Sequence, residues 1–284
     1  MASDDAPTDG DADEAQRTER VRQQGAPEGL FRSCMDVIRR SHSVGQALRT
    51  AMLGAGLMTD AECYAELLAQ FYVCTAALER GLQKSASKLA QRVSTDVGLA
   101  FTSGYEADLR HLLGEDWARR VDEELTSDVA RRYVARLEAA SEAELVAGVF
   151  ILHGPLAIGG GAALKPRVGK AFGAGATHVF EPVVGPGRGR RRALFITAFD
   201  ELLAQVPSED GGAEKGTADP RFAAIVSACG EFMELNNQLM LSCRKRPWWS
   251  KWAWGAAVVV VGAAALAYRS RDGASAEAPQ AAKA

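Results

Sequence analysis

The stretch HGPLAIGGGAALK, residues 153–165, sets three consecutive glycines inside an apolar run with the pattern of a buried helix. Each glycine costs a helix interior roughly 1 kcal/mol relative to alanine, so three oppose the local structure by about 3 kcal/mol. Something must approach the backbone at Gly159, Gly160 and Gly161 so closely that side chains are not tolerated.

Working outward, Ser141 and Glu144 have the spacing of a capping box that opens the segment leading to the glycines. A second such pair, Thr59 with Glu62, precedes a run in which Tyr64, Leu67, Leu68, Phe71, Tyr72, Thr75 and Leu78 recur at helical spacing. Further helical periods lie near 86–101, 104–113, 121–138, 191–205 and 219–243, while GPGRGRR near 185–191 and PSEDGGAEKGTADP at 207–220 read as loops. No strand alternation and no internal repeat interrupts them. The pattern predicts one all-α domain over residues 28–243.

The 284-residue chain is 47% hydrophobic, ample for a core, and its net charge of -3 gives no hint of a nucleic-acid partner. Five cysteines form no CxxC pair, and Cys34, Cys63 and Cys74 fall in helical patterns, which points to reduced structural thiols. Residues 1–27 are acidic, with no basic residue before Arg17 and no apolar core of a secretory signal. They are expected to form a disordered tail.

At the other end, WAWGAAVVVVGAAALAY (252–268) carries no charge over seventeen residues. As a helix it would be about 26 Å long, enough to cross a thin bilayer. Arg244, Lys245 and Arg246 precede it, four tryptophans gather at its start, and Arg269 and Arg271 close it, an interfacial belt with basic flanks. Residues 244–271 are therefore expected to be a tail anchor, followed by a short polar tail at 272–284. The rest would then lie on the cytosolic face of an intracellular membrane such as the endoplasmic reticulum or mitochondrial outer membrane.

The glycines fail as a phosphate loop, because the spacing of neither a Walker motif nor a dinucleotide fingerprint is met. No HExxH, paired-cysteine site or nucleophile elbow occurs either. Of the four histidines, His42 has the most pointed setting. It lies in FRSCMDVIRRSHSVGQALRTAML, sharing an inner face with Val37, Ile38, Ser41, Gly45 and Leu48, with Arg39 one turn before it. An imidazole on a buried face beside a cation suits the iron of a porphyrin whose propionates reach the arginine. A flat macrocycle would also account for glycines on an opposing helix.

These segments resemble the heme oxygenases over roughly residues 29–242, and the tail anchor resembles that of the animal membrane-bound members. SHSVGQALRTAML through AQFYVCTAALERGL is similar to the family's proximal segment, with His42 at the iron-ligand position and ALE (77–79) at the matching distance. RRYVARL, ELVAGVF and the glycines resemble the approach to the distal helix, and RRALF (191–195) and LNNQLM (235–240) the later helices. The resemblance implies heme as cofactor, held by His42, Arg39, Gly159, Gly160, Gly161 and Arg192. It also implies cleavage to biliverdin, iron and carbon monoxide with electrons from a membrane-bound NADPH-dependent reductase.

The departures are as informative. The family's distal helix carries an aspartate that organises the water delivering protons to the iron site. Here the matching residues are Leu156 and Ala157, or Pro155 and Leu156 in the neighbouring register, and neither register has a carboxylate. A propionate-binding arginine aligns with Ile196, and a basic position near Met35 is lost. Losing the organiser threatens chemistry more than binding. His153, four residues before Ala157, is the candidate substitute for proton relay. Two rivals stand beside an active oxygenase: a heme-binding or heme-sensing protein without turnover, and a tail-anchored helical adaptor, which would leave His42 without a purpose.

Overall fold

The computed structural model describes residues 29–54, 59–159, 161–184, 188–206 and 219–243. Among them no strand occurs. The helices are α1 (Leu30–Gly54), α2 (Ala61–Lys84), α3 (Lys88–Val97), α4 (Thr102–Leu113), the short α5 (Trp117–Arg120), α6 (Asp128–Glu138) and α7 (Glu142–Gly148). The chain continues through α8 (Gly154–Ala157), α9 (Gly161–Phe172), α10 (Arg188–Gln205) and α11 (Pro220–Leu241). π-Turns occupy Val121–Leu125 and Val149–His153, and 3₁₀ turns occupy Ala174–Ala176 and His178–Val183. The all-α expectation holds.

Local chemistry sets the boundaries. The capping box at Ser141 and Glu144 forms as expected. At α2 the cap is Asp60 and not Thr59: Asp60 sits in extended backbone and its carboxylate accepts from the Glu62 and Cys63 amides at 2.9 and 3.1 Å. The period near 86–101 ends early, because Gly98 turns left-handed at φ 58° and closes α3. The period at 121–138 is broken at Thr126 and Ser127, where Gln70 fills the gap. Its Nε2 donates to the Leu125 carbonyl, and its Oε1 accepts from Ser127 N at 3.1 Å and Oγ at 2.7 Å. Helix α10 begins at Arg188, so the end of the stretch expected as loop is helical.

Helix α11 lies along α1 and α7, α2 is held between α4 and α6, and α10 packs on α3 and α1. The aromatic centre is Phe150, edge-on to Phe199 at 5.1 Å, with Phe195 stacked on Phe199 at 4.9 Å and Phe31 tilted on Phe150 at 5.5 Å. This cluster ties the start of α1 to the π-turn before the glycines. The start of α1 is also capped from outside, since Asp200 of α10 accepts from the Phe31 amide at 2.9 Å.

No described helix is long and apolar enough to cross a membrane. The expected anchor at 244–271, the polar tail and the acidic tail at 1–27 lie outside the described residues.

Candidate functional site

Helix α1 carries His42. Ile38 and Gly45 are buried on it, one turn either side of the half-buried His42. The inner face is narrower than the sequence pattern implies, because Val37 is 44% exposed. Helix α11 fixes this stretch: Asn237 donates from Nδ2 to the Ser41 carbonyl at 2.9 Å, beside His42, and its buried Oδ1 has no hydrogen-bond partner.

The glycine-containing segment is not one helix. The π-turn Val149–His153 runs into α8, which stops at Ala157, and the chain restarts as α9 at Gly161. What comes close to the glycines is the chain's own preceding turn. A Cβ at Gly159 would sit 2.6 Å from the Pro155 carbonyl oxygen, and one at Gly161 2.9 Å from that of Leu156. Gly159 and Gly161 therefore each have a reason within the chain itself. Gly160 lies outside the described residues. The kink leaves Gly159 exposed and Leu156 and Ile158 partly buried, an apolar wall without a carboxylate at Leu156 or Ala157.

The four histidines separate by partner. His111 donates from Nε2 to the Phe172 carbonyl at 3.0 Å, and His178 places Nδ1 3.0 Å from buried Asp108. His153, 1% exposed, has Phe101 edge-on at 5.0 Å and its Nε2 3.5 Å from Glu79 Oε1, an ion-pair distance too long for a good hydrogen bond. Glu79 also accepts from the Phe101 and Thr102 amides at 2.7 and 3.4 Å, at the start of α4. Burial pushes the Glu79 carboxyl up, but His153, Thr102 and the Phe101 amide outweigh it and hold it below its ordinary value.

The arginines do not converge. Arg39 is exposed and pairs with Asp36 one turn back, and Arg192 is exposed on α10. A propionate would have to compete with Asp36 for Arg39. The sequence reading missed Asn237 and Glu79 as site-shaping residues, although both sit in segments, LNNQLM and ALE, that carry the family resemblance. Their partners are 196 and 22 residues away along the chain, beyond any helical period.

The residues fit a flat iron-binding macrocycle in type: a half-buried imidazole on α1, an apolar segment broken at Gly159 and Gly161, and a buried Asn237 carboxamide oxygen with no hydrogen-bond partner. Comparison with known proteins agrees. No curated protein matches at a significant level. Among solved structures, heme oxygenase 2 from Chlamydomonas reinhardtii, determined without heme, matches at TM-score 0.65 and 26% identity, over 78% of this chain and 100% of that one. Heme oxygenase-2 from Synechocystis sp. PCC 6803, in complex with heme and NO, shares the fold at TM-score 0.62 and 20% identity, over 76% of this chain and 85% of that one. Heme oxygenase-1 from the same cyanobacterium, in complex with heme, does so at TM-score 0.59 and 17% identity, over 84% and 99%. The family model for heme oxygenase matches residues 39–213, which take in His42, Glu79, His153 and the glycine kink, and the chain belongs to the heme oxygenase family.

Proposed function

We propose that this protein binds heme between α1 and the α8–α9 segment with His42 holding the iron, and opens the ring to biliverdin, iron and carbon monoxide slowly. The observation that supports this best is the place of His42: it lies half-buried on α1, next to Ser41, whose carbonyl Asn237 of α11 holds at 2.9 Å.

When bound, heme supplies both the ring that is cut and the iron that activates dioxygen. The chain's own residues do the rest. His42 would hold the iron, Leu156, Ile158 and the kink at Gly159 would shape an apolar face for the ring, and Arg39 and Arg192 would be the basic groups offered to propionates. Proton relay falls to His153 at the end of the π-turn, whose Nε2 faces the Glu79 carboxylate across 3.5 Å. An organised carboxylate directly on the distal helix is missing, and loss of a proton-delivery group typically costs 10²–10⁴-fold in rate.

The same lack favours a second reading, a heme-binding protein without turnover. Electrons would come from an NADPH-dependent membrane reductase, and residues 244–271 would hold the protein on the cytosolic face of the endoplasmic reticulum or mitochondrial outer membrane. A hemin titration followed by reductase-driven turnover tests both readings. A Soret band lost in His42→Ala supports the binding site, and biliverdin formation decides between slow oxygenase and silent heme binder. A band unchanged in His42→Ala overturns the assignment.

A further inference from the structure

Helices α1 and α11 run parallel, in a register fixed at two points. Asn237 donates to the Ser41 carbonyl at 2.9 Å, and a Cβ on Gly230 would meet Val37 Cγ2 at 3.5 Å. That register brings Cys229 opposite Cys34. Both are fully buried free thiols, and Cys34 is close enough to weigh on the Cys229 thiol. Cys34, Ile38 and His42 follow at four-residue spacing on one face of α1, so the thiol pair stands two turns, about 12 Å, before the proximal histidine.

We propose that Cys34 and Cys229 form a reversible dithiol–disulfide site, closed by a two-electron oxidant of the peroxide class, that staples the proximal helix to α11. One sulfur takes an oxygen from the peroxide, giving a sulfenic acid and water. The other sulfur then attacks it, forming the S–S bond and releasing the second water. Two thiols and one peroxide give one disulfide and two waters. The inference does not rest on heme being bound.

Burial, first, and the adjoining Cys34 sulfur hold the Cys229 thiol protonated well above its ordinary range, so the closed pair reacts slowly. Oxidation waits for α1 to part from α11, and the disulfide then restrains the helix that had moved.

The test uses the full chain, hydrogen peroxide, and dithiothreitol for reversal. Oxidised protein should lose the mass of two hydrogens, its free thiols should fall from five to three, and non-reducing peptide mapping should link Cys34 to Cys229. Dithiothreitol should restore all five. Cys34→Ala and Cys229→Ala should each retain every remaining thiol under the same treatment. In the oxidised wild type, amide exchange along Leu30–Gly54 should slow. Unchanged thiols, added oxygen without a crosslink, or a disulfide mapped elsewhere would overturn the proposal, and unchanged exchange would overturn the stapling.

Discussion

His153 Nε2 faces Glu79 Oε1 across 3.5 Å, so the histidine nearest the distal kink is held by a carboxylate that also caps α4 through the Phe101 and Thr102 amides. One carboxylate thus joins α2, the start of α4 and the end of the π-turn. Replacing it with an amide turns a donor toward two backbone donors and leaves a buried imidazole without its partner. Glu79→Gln should cost about 1–3 kcal/mol of stability at neutral pH, read by denaturant unfolding. The carboxyl is lowered from 4.5 in the folded state, so the unfolded chain binds the proton more tightly. The stabilisation is complete above that value and fades as pH falls through the lower, folded one. The gap between wild type and Glu79→Gln should therefore close on acidification below about pH 4.5. A gap that widens there would show that the carboxylate is not held as described.

Asp200 reaches from α10 to the first turn of α1, accepting from the Phe31 amide at 2.9 Å. A capping acceptor of this type is worth about 1 kcal/mol. Asp200→Ala should lower stability by that amount and raise amide exchange first along Leu30–Cys34, leaving α3 and α4 unchanged. Uniform loss of protection would place the role of Asp200 elsewhere.

How much of this was legible in the sequence follows from the range of the forces involved. The helices, the Ser141–Glu144 box and the position of His42 depend on side chains three or four residues apart, and they were readable. The cap at α2 was misplaced by one residue, because Thr59 and Asp60 are both capping residues and only backbone conformation chooses between them. The glycine run was read as a helix pressed against a ligand. It is a break, because the carbonyls of Pro155 and Leu156 occupy the space that a Cβ would need. The Glu79–His153 pair could not be found by periodicity, since it depends on how the π-turn rotates His153 toward α2, and a π-turn has no reliable sequence signal.

His42 should be the residue on which heme spectra depend. His42→Ala should abolish or shift the Soret band and weaken hemin binding by at least about tenfold, or 1.4 kcal/mol. His111→Ala and His178→Ala should leave both intact, because those imidazoles serve the Phe172 carbonyl and Asp108. Loss of the band in all three variants alike would point to a folding defect, which far-ultraviolet circular dichroism would reveal.

The distal wall carries the last prediction. Ala157 is 7% exposed at the end of α8, one residue before the chain turns toward the kink, and in one of the two registers read from the sequence it is the position the family resemblance gives to aspartate. If slow turnover reflects the missing carboxylate, Ala157→Asp should raise the rate of biliverdin formation, up to about 10²-fold, while Ala157→Asn should not. The added charge should also cost a few kcal/mol of stability in the heme-free protein, because it is introduced at a nearly buried position. His153→Ala should depress the residual wild-type rate, and Glu79→Gln should do so as well if the carboxylate 3.5 Å away orients the imidazole. Brisk biliverdin formation by the wild type that survives His153→Ala would count against this account. Protons would then reach the iron site without an organising side chain, and the absence of a carboxylate at Leu156 and Ala157 would carry no catalytic cost.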